Sequence, residues 1–187
     1  RIDRCTTCHL GIDTAGTVDW PQPFTAHPRL DEFVGGNSPH PIDQFGCTTC
    51  HSGLDRAIEF SRAGHTPENE EQEAEWEQEH GWYQDHFLET PMLPMNRIDA
   101  SCLKCHTGAG DVPSAASLNI GRDLIRTYGC FGCHNIPGYE DIRKVGPDLT
   151  TINSKLDPEW VKKWLSDPKA FKSEARMPKF WFNTNNS

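Results

Sequence analysis

No stretch of this chain is apolar for long. Its hydrophobic runs fall far short of the roughly 18–20 residues that cross a bilayer, so a spanning helix is not expected, and no secretory h-region is present. Hydrophobic residues make up only 35% of the 187 positions, beside 15 Gly and 14 Pro. That is thin material for a large core built from side chains alone. Positive charge is short as well: 18 Lys and Arg face 27 Asp and Glu, for a net charge of −9, which argues against nucleic acid as a partner. Between Ala63 and Asn96 there is no Lys or Arg at all. Spare cysteine is also lacking, because all eight fall into one repeated pattern.

That pattern is Cys-x-x-Cys-His. It occurs as Cys5–Cys8–His9, Cys47–Cys50–His51, Cys102–Cys105–His106 and Cys130–Cys133–His134. This spacing is the signature of covalent c-type haem attachment. The two thiols form thioethers to the haem edge, and the adjacent His reaches the iron as proximal ligand. Paired Cys-x-x-Cys segments also make tetrahedral zinc sites, but zinc leaves a His after every pair unexplained. A dithiol redox motif wants a βαβ context, which the sequence lacks. The expectation is four haem c per chain, with His9, His51, His106 and His134 proximal. Four apolar plates would relieve the shortage of core. The expected fold is mainly α, with extensive irregular loops wrapped around four covalently bound haems and little β.

The first stretch contains a weak internal repeat. Cys-Thr-Thr-Cys-His-Leu-Gly-Ile-Asp from Cys5 leads to Phe24 and His27; Cys-Thr-Thr-Cys-His-Ser-Gly-Leu-Asp from Cys47 leads to Phe60 and His65. Repeats signal repeated structural units, so each copy is read as one haem plus one later His that returns to an iron. His27 and His65 are the leading distal candidates. His40 lies in a turn-rich Gly and Pro loop just before Cys47. Seven Glu between Glu68 and Glu79 suit a solvated helix over 68–80, or an acidic docking surface for a basic partner. His80 reads as a helix-end His. His86, among Trp82, Tyr83 and Phe87, reads as a further ligand. The third haem would draw its distal ligand from His86 or His40, with Met92 and Met95 more suited to packing.

From Ser117 the pattern changes. Ile120, Leu124 and Tyr128 recur at helical spacing and run to Gly129, delivering Cys130. Asp157 and Pro158 open a second helix as cap and first residue, with Trp160, Val161, Trp164 and Leu165 as its apolar face. Arg176-Met177-Pro178 comes after it. Together with Gly146-Pro147, these features resemble a class I cytochrome c. The resemblance implies that the Pro147 carbonyl accepts a bond from His134 and that Met177 is the sixth ligand. That family carries a C-terminal helix after the Met, whereas only ten residues come after Met177 here, so this helix is expected to be absent, shortened or lost with a truncated end. Residues 117–187 are thus expected to form a monohaem domain and 1–116 a trihaem region. The first part is similar to multihaem c-type cytochromes, and the whole resembles those that accompany membrane quinol-oxidising complexes.

Haem ligand supply exceeds need, so no iron is forced to stay open. Six-coordinate iron exchanges electrons with little rearrangement, and Met/His ligation raises its potential relative to bis-His. The expected function is electron transfer, not catalysis: from a membrane donor, through three low-potential haems, to the haem of His134 and Met177, and on to an acceptor. Residues 143–179 hold nine Lys or Arg against five acids, a candidate rim for an acidic acceptor. Two alternatives stand beside this reading. One is a protomer of a polymeric extracellular cytochrome wire, with spare His donated between chains. The other is a multihaem peroxidase or reductase, which needs a five-coordinate iron and acid–base groups. Haem attachment takes place outside the cytoplasmic membrane, so a periplasmic, extracellular or cell-surface location is expected. The chain begins at Arg1, and a removed leader or anchor is expected to precede it.

Overall fold

The computed structural model describes residues 3–108, 110–140 and 144–180. The chain is mainly α with irregular loops and almost no strand. Its two compact units are Arg1–Cys102 and Leu103–Ser187. The division falls inside the third Cys-x-x-Cys-His, ahead of residue 117, where the character of the sequence changes. Two side chains of the next helix account for the position. Asn119 exchanges two hydrogen bonds with the backbone of Val112, at 2.8 and 2.9 Å, and the buried Arg122 guanidinium donates to the carbonyls of His106, at 2.7 Å, and Gly110. Residues 106–112 are thereby tied to the second unit.

In the first unit, two-residue strands β1 (Phe33–Val34) and β2 (His40–Pro41) pair in parallel, with Phe33 opposite His40. Short helices α1 (Ile42–Phe45), α2 (Thr48–His51) and α3 (Phe60–Ala63) come next. The acidic run forms α4, Glu70–His80. It starts two residues later than the sequence suggests because Asn69 is its cap: the Asn69 side chain accepts from Gln72 N–H, and the Gln72 side chain accepts from Glu68 N–H. Gly81 ends it in the left-handed conformation. A 3-10 segment, Met95–Lys104, runs across the division between the units.

The second unit contains α5 (Ala116–Tyr128), α6 (Pro158–Ser166) and α7 (Pro168–Phe171). Gly129 closes α5 with φ 65° and delivers Cys130. Asp157 caps α6 by accepting from the N–H groups of Glu159 and Trp160, with Pro158 at the first helical position, as the sequence pattern implies. Trp160 and Trp164 stack at 5.4 Å along α6, and Phe171 of α7 packs on both. No helix among the described residues is long and apolar enough to cross a membrane. Residues 181–187, where a C-terminal helix would begin, lie outside the described residues, as does Arg143 of the basic stretch.

Side chains alone build very little core. Among the described residues the buried hydrophobic ones are Ala26, Trp82, Val112 and Ala115, while Phe87, Val145 and Ile58 are 97%, 85% and 82% exposed. The large apolar side chains of the described residues thus lie mostly at the surface and contribute little burial.

Removing the α6 cap tests the local reading. Asp157→Ala is expected to cost about 1 kcal/mol, read as a lower denaturant midpoint of the purified protein. Asp157→Asn, which caps equally well, should leave the midpoint nearly unchanged.

Candidate metal centres

Three of the four Cys-x-x-Cys-His segments fold into the same tight turn. In each, the His N–H donates to the carbonyl of the first Cys: His9 to Cys5 at 2.8 Å, His51 to Cys47 at 2.9 Å and His134 to Cys130 at 3.0 Å. The second Cys N–H donates to the same carbonyl at 3.1–3.2 Å. One turn therefore presents two thiols and an imidazole from a single backbone loop. Cys5, Cys47, Cys50, Cys102 and Cys130 are half-buried, and Cys8, Cys105 and Cys133 are exposed.

The repeat is visible in the backbone. Gly11 N–H donates to the Pro23 carbonyl at 3.2 Å and His27 N–H to the Ile12 carbonyl at 2.8 Å. In the second copy Leu54 N–H donates to the Ala63 carbonyl at 3.0 Å. Each distal-candidate segment thus docks on the residues just after its own motif. The imidazoles do the opposite. His65, from the second copy, faces His9 of the first, with ring centroids 6.1 Å apart and planes at 44°. His27, from the first copy, faces His51 of the second at 6.4 Å and 76°.

These spacings can be compared with a metal held between two imidazoles. A metal–imidazole bond is about 2.0–2.1 Å long and the ring centroid lies roughly 1 Å behind the bonded nitrogen, so the two centroids should be about 6 Å apart. Both pairs fit. Ligating imidazoles also donate their second ring nitrogen to a fixed acceptor. His65 Nδ1 lies 2.7 Å from the Phe60 carbonyl, and the ring stacks on Phe60 at 4.0 Å and 6°, with Trp76 of α4 edge-on at 6.2 Å. Trp82 Nε1–H anchors the His65 carbonyl at 2.8 Å. His27 packs on Phe33 at 5.7 Å and differs from His65 at Nδ1, which accepts from the Arg29 N–H at a long 3.5 Å and faces no carbonyl among the described residues. Burial lowers the proton affinity of His65, against the raising effect of the Phe60 carbonyl. Burial, then the Arg29 charge, does the same for His27. Both rings are held neutral, the form that offers a lone pair.

His40 sits beside this cluster. Its ring stacks on Phe33 at 5.4 Å, meets Phe45 edge-on at 5.4 Å, and its Nδ1 lies 3.1 Å from the Glu32 carbonyl. It is oriented as a ligand would be. His86 and His106 are exposed. Phe87, expected to pack around His86, points outward, and Trp82 and Tyr83 bond instead to His65 and Ser61. His80 ends α4, its ring 4.5 Å from Phe60.

In the second unit, residues 144–149 strap the fourth motif. Lys144 Nζ donates to the Phe131 carbonyl at 2.6 Å, Gly146 N–H to the Cys133 carbonyl at 2.7 Å, and Leu149 N–H to the Asn135 carbonyl at 3.2 Å. His134 Nδ1 lies 2.8 Å from the Pro147 carbonyl, the partner implied by the class I resemblance, which leaves Nε2 as the nitrogen for a metal. Asp148 locks the strap: hydrogen bonds from Thr150 and then Asn135 hold its carboxyl at about 2. A carboxylate so depressed stabilises the fold fully above its unfolded value of 3.8 and loses that effect as pH falls from there through about 2. Met177 is half-buried, and Trp164 Nε1–H donates to its sulfur at 3.1 Å.

Three contributors escaped the sequence reading. Asn119 and Arg122, three apart on one face of α5, hold the backbone behind His106; their helical spacing was the available signal. Asp3, two residues before Cys5, contacts both Cys5 and Cys47 and had no signal in the sequence. The oxygen of Asp3 and the sulfurs of Cys5 and Cys47 all lie within 4.8 Å of one another. Burial alone would raise the Asp3 carboxyl, but hydrogen bonds from the Cys5 thiol and the N–H groups of Thr48 and Cys47 hold it below the usual range. The Cys5 thiol is pushed well up, first by its hydrogen bond with Cys47 and then by burial. No family model, curated protein or solved structure matches the chain.

The seat of His134 leaves no room for a larger residue in the strap. A Cβ on Gly146 would lie 2.8 Å from His134 Cε1, 2.9 Å from Nδ1 and 3.0 Å from the Cys133 carbonyl oxygen. Gly146→Ala is expected to cost about 1–3 kcal/mol, measured by denaturant unfolding of the purified protein. An unchanged midpoint would show that the ring is not held in this seat.

Proposed function

We propose that this chain is a tetrahaem c-type cytochrome that transfers electrons and carries no catalytic step. The observation that carries the reading is the pair of facing imidazole couples, His9 with His65 and His51 with His27, each set at the spacing of two ligands on one metal. In each couple one member belongs to a Cys-x-x-Cys-His. The eight cysteines would hold four haems as thioethers, with His9, His51, His106 and His134 proximal. Haem, once attached, supplies one-electron chemistry.

The protein's contribution would be to supply the histidines that hold each iron and to keep them still. His65 and His27 close two of the four sites, so small substrates find no free position there. The Phe60 carbonyl at His65 Nδ1 and the Phe33 ring against His27 hold the two rings, which would keep rearrangement on electron exchange small. His134, donating to Pro147, and Met177, held by Trp164, would serve the fourth haem at a higher potential. His40 and His86 are the remaining candidates for the third. One electron taken from a donor leaves to an acceptor, and the protein returns to its starting state. A membrane quinol-side donor suits the resemblance, and attachment of haem c places the protein outside the cytoplasm. On the acceptor side, Lys162 and Lys179 are paired with Glu159 and Asp167, while Lys155, Lys163, Lys169, Lys172 and Arg176 are exposed and could steer an acidic partner.

Intact mass should show four haems on the chain, and a potentiometric titration should resolve one component well above three others. Met177→Leu is expected to remove that high component. Four similar low potentials in the unmodified protein would take Met177 out of the ligand set and put the conductive-polymer reading ahead.

The exchanged pairing has its own test. His65→Ala should turn one low-spin haem high-spin. It should add no high-spin signal once Cys5 and Cys8 are also replaced by Ala, because the haem beside His9 is then gone. A high-spin signal that persists in that background would mean that His65 serves a different iron.

A further inference from the structure

Asp3 bridges two segments far apart in sequence. Its Oδ2 accepts from the N–H of Cys47 at 2.7 Å and of Thr48 at 3.0 Å. Its Oδ1 accepts from the Cys5 thiol at 2.7 Å and the Cys5 N–H at 3.4 Å. Next to it, Arg4 N–H donates to the Asp55 carbonyl at 2.9 Å. The first cysteine of the first motif and the first cysteine of the second are therefore held against one carboxylate.

We infer that Asp3 is a positioning residue that fastens the first two haem-attachment segments together, so that the haems on Cys5 and Cys47 form one closely coupled pair. This rests on the tetrahaem reading above. A resident metal at Asp3, Cys5 and Cys47 is a poorer account, because both thiols are consumed by haem attachment in that reading. Attachment removes the S–H donor from Cys5 but leaves the N–H groups of Cys5, Cys47 and Thr48, so most of the clamp survives. Charge-assisted bonds of this kind from backbone N–H to carboxylate are among the stronger ones, and Thr48 is buried, where a lost acceptor is costly. The clamp also agrees with the exchange of distal ligands. With the attachment points adjacent, each copy needs only to turn its own docked loop inward for His27 to meet His51 and for His65 to meet His9.

The test compares the full-length holoprotein with Asp3→Ala and Asp3→Asn. Intact mass and the low-spin absorption spectrum first establish four attached haems. The Soret circular dichroism then reports haem–haem coupling, which falls with the cube of the separation. The unmodified protein should show a two-signed Soret couplet. Asp3→Ala should shrink it by more than half with four low-spin haems retained. Asp3→Asn, which keeps one acceptor oxygen, should lie between and remains the decisive comparison if Asp3→Ala holds fewer haems. A couplet unchanged in Asp3→Asn and Asp3→Ala, or absent from the four-haem unmodified protein, overturns the inference and leaves the tetrahaem reading intact. An unmodified protein without covalent haem would overturn both.

Discussion

Two imidazole rings stay paired across about 6 Å only if neither can rotate and neither backbone can drift. The rest of the first unit answers that demand. His65 is pinned at its carbonyl by Trp82, at Nδ1 by the Phe60 carbonyl and at its face by the Phe60 ring. Trp76 reaches the same cluster from α4, so that helix is more than a solvated acidic face: it lends one aromatic side chain to the site and sends its glutamates to water. His27 is set by the hydrogen bond of its N–H to Ile12 and by Phe33, and Phe33 in turn orients His40 through the two-residue strand pair. The strand pair is thus too small to be a structural layer and just large enough to align a phenyl ring with two imidazoles.

A second demand comes from burial. A chain with so few buried apolar side chains gains little from the hydrophobic effect by itself, and its many close backbone hydrogen bonds in loops cannot substitute for that gain. Large flat apolar groups attached at four points would cover the outward-facing Leu, Ile, Val and aromatic residues and supply what the side chains do not. On the proposed reading, cofactor attachment and folding are one process, as for small metal-dependent domains in which ligand-binding energy is folding energy.

Much of this was legible in the sequence, for identifiable reasons. The end of α4, the end of α5 and the start of α6 were readable because caps and terminal glycines are local signals: Gly81, Gly129 and Asp157 act within one turn of where they sit. The His134–Pro147 contact was implied by resemblance and is present at 2.8 Å. The repeat identified His27 and His65 but not their partners, since each docks beside its own motif through the backbone while its ring turns to the other. A sequence repeat records the first fact and carries nothing about the second. Asp3 was illegible for the same reason: its partners are 44 and 45 residues away. The aromatic neighbours of His86 went elsewhere than local composition suggests: Trp82 turns inward to bond the His65 carbonyl, and Phe87 turns to solvent.

The two units use one turn to different ends, and the difference lies in the segment that each turn leads into. After His9 and His51 come loops that return a histidine, and the returning ring crosses to the other copy. On the proposed reading neither copy would complete its own site alone, which would make the pair the smallest unit able to hold its ligands. After His134 comes a strap that returns a carbonyl to the same histidine and keeps the site within itself. Helix α6 then offers Trp164 to the sulfur of Met177 rather than another imidazole. A neutral thioether fixed by a single N–H is a weaker donor than a histidine braced by a carbonyl, and weaker axial donation favours the reduced state. The exchanged histidines therefore suit a low-potential entry and the self-contained strap a high-potential exit, so the direction of electron flow would be written in the loops and not in the motifs they share.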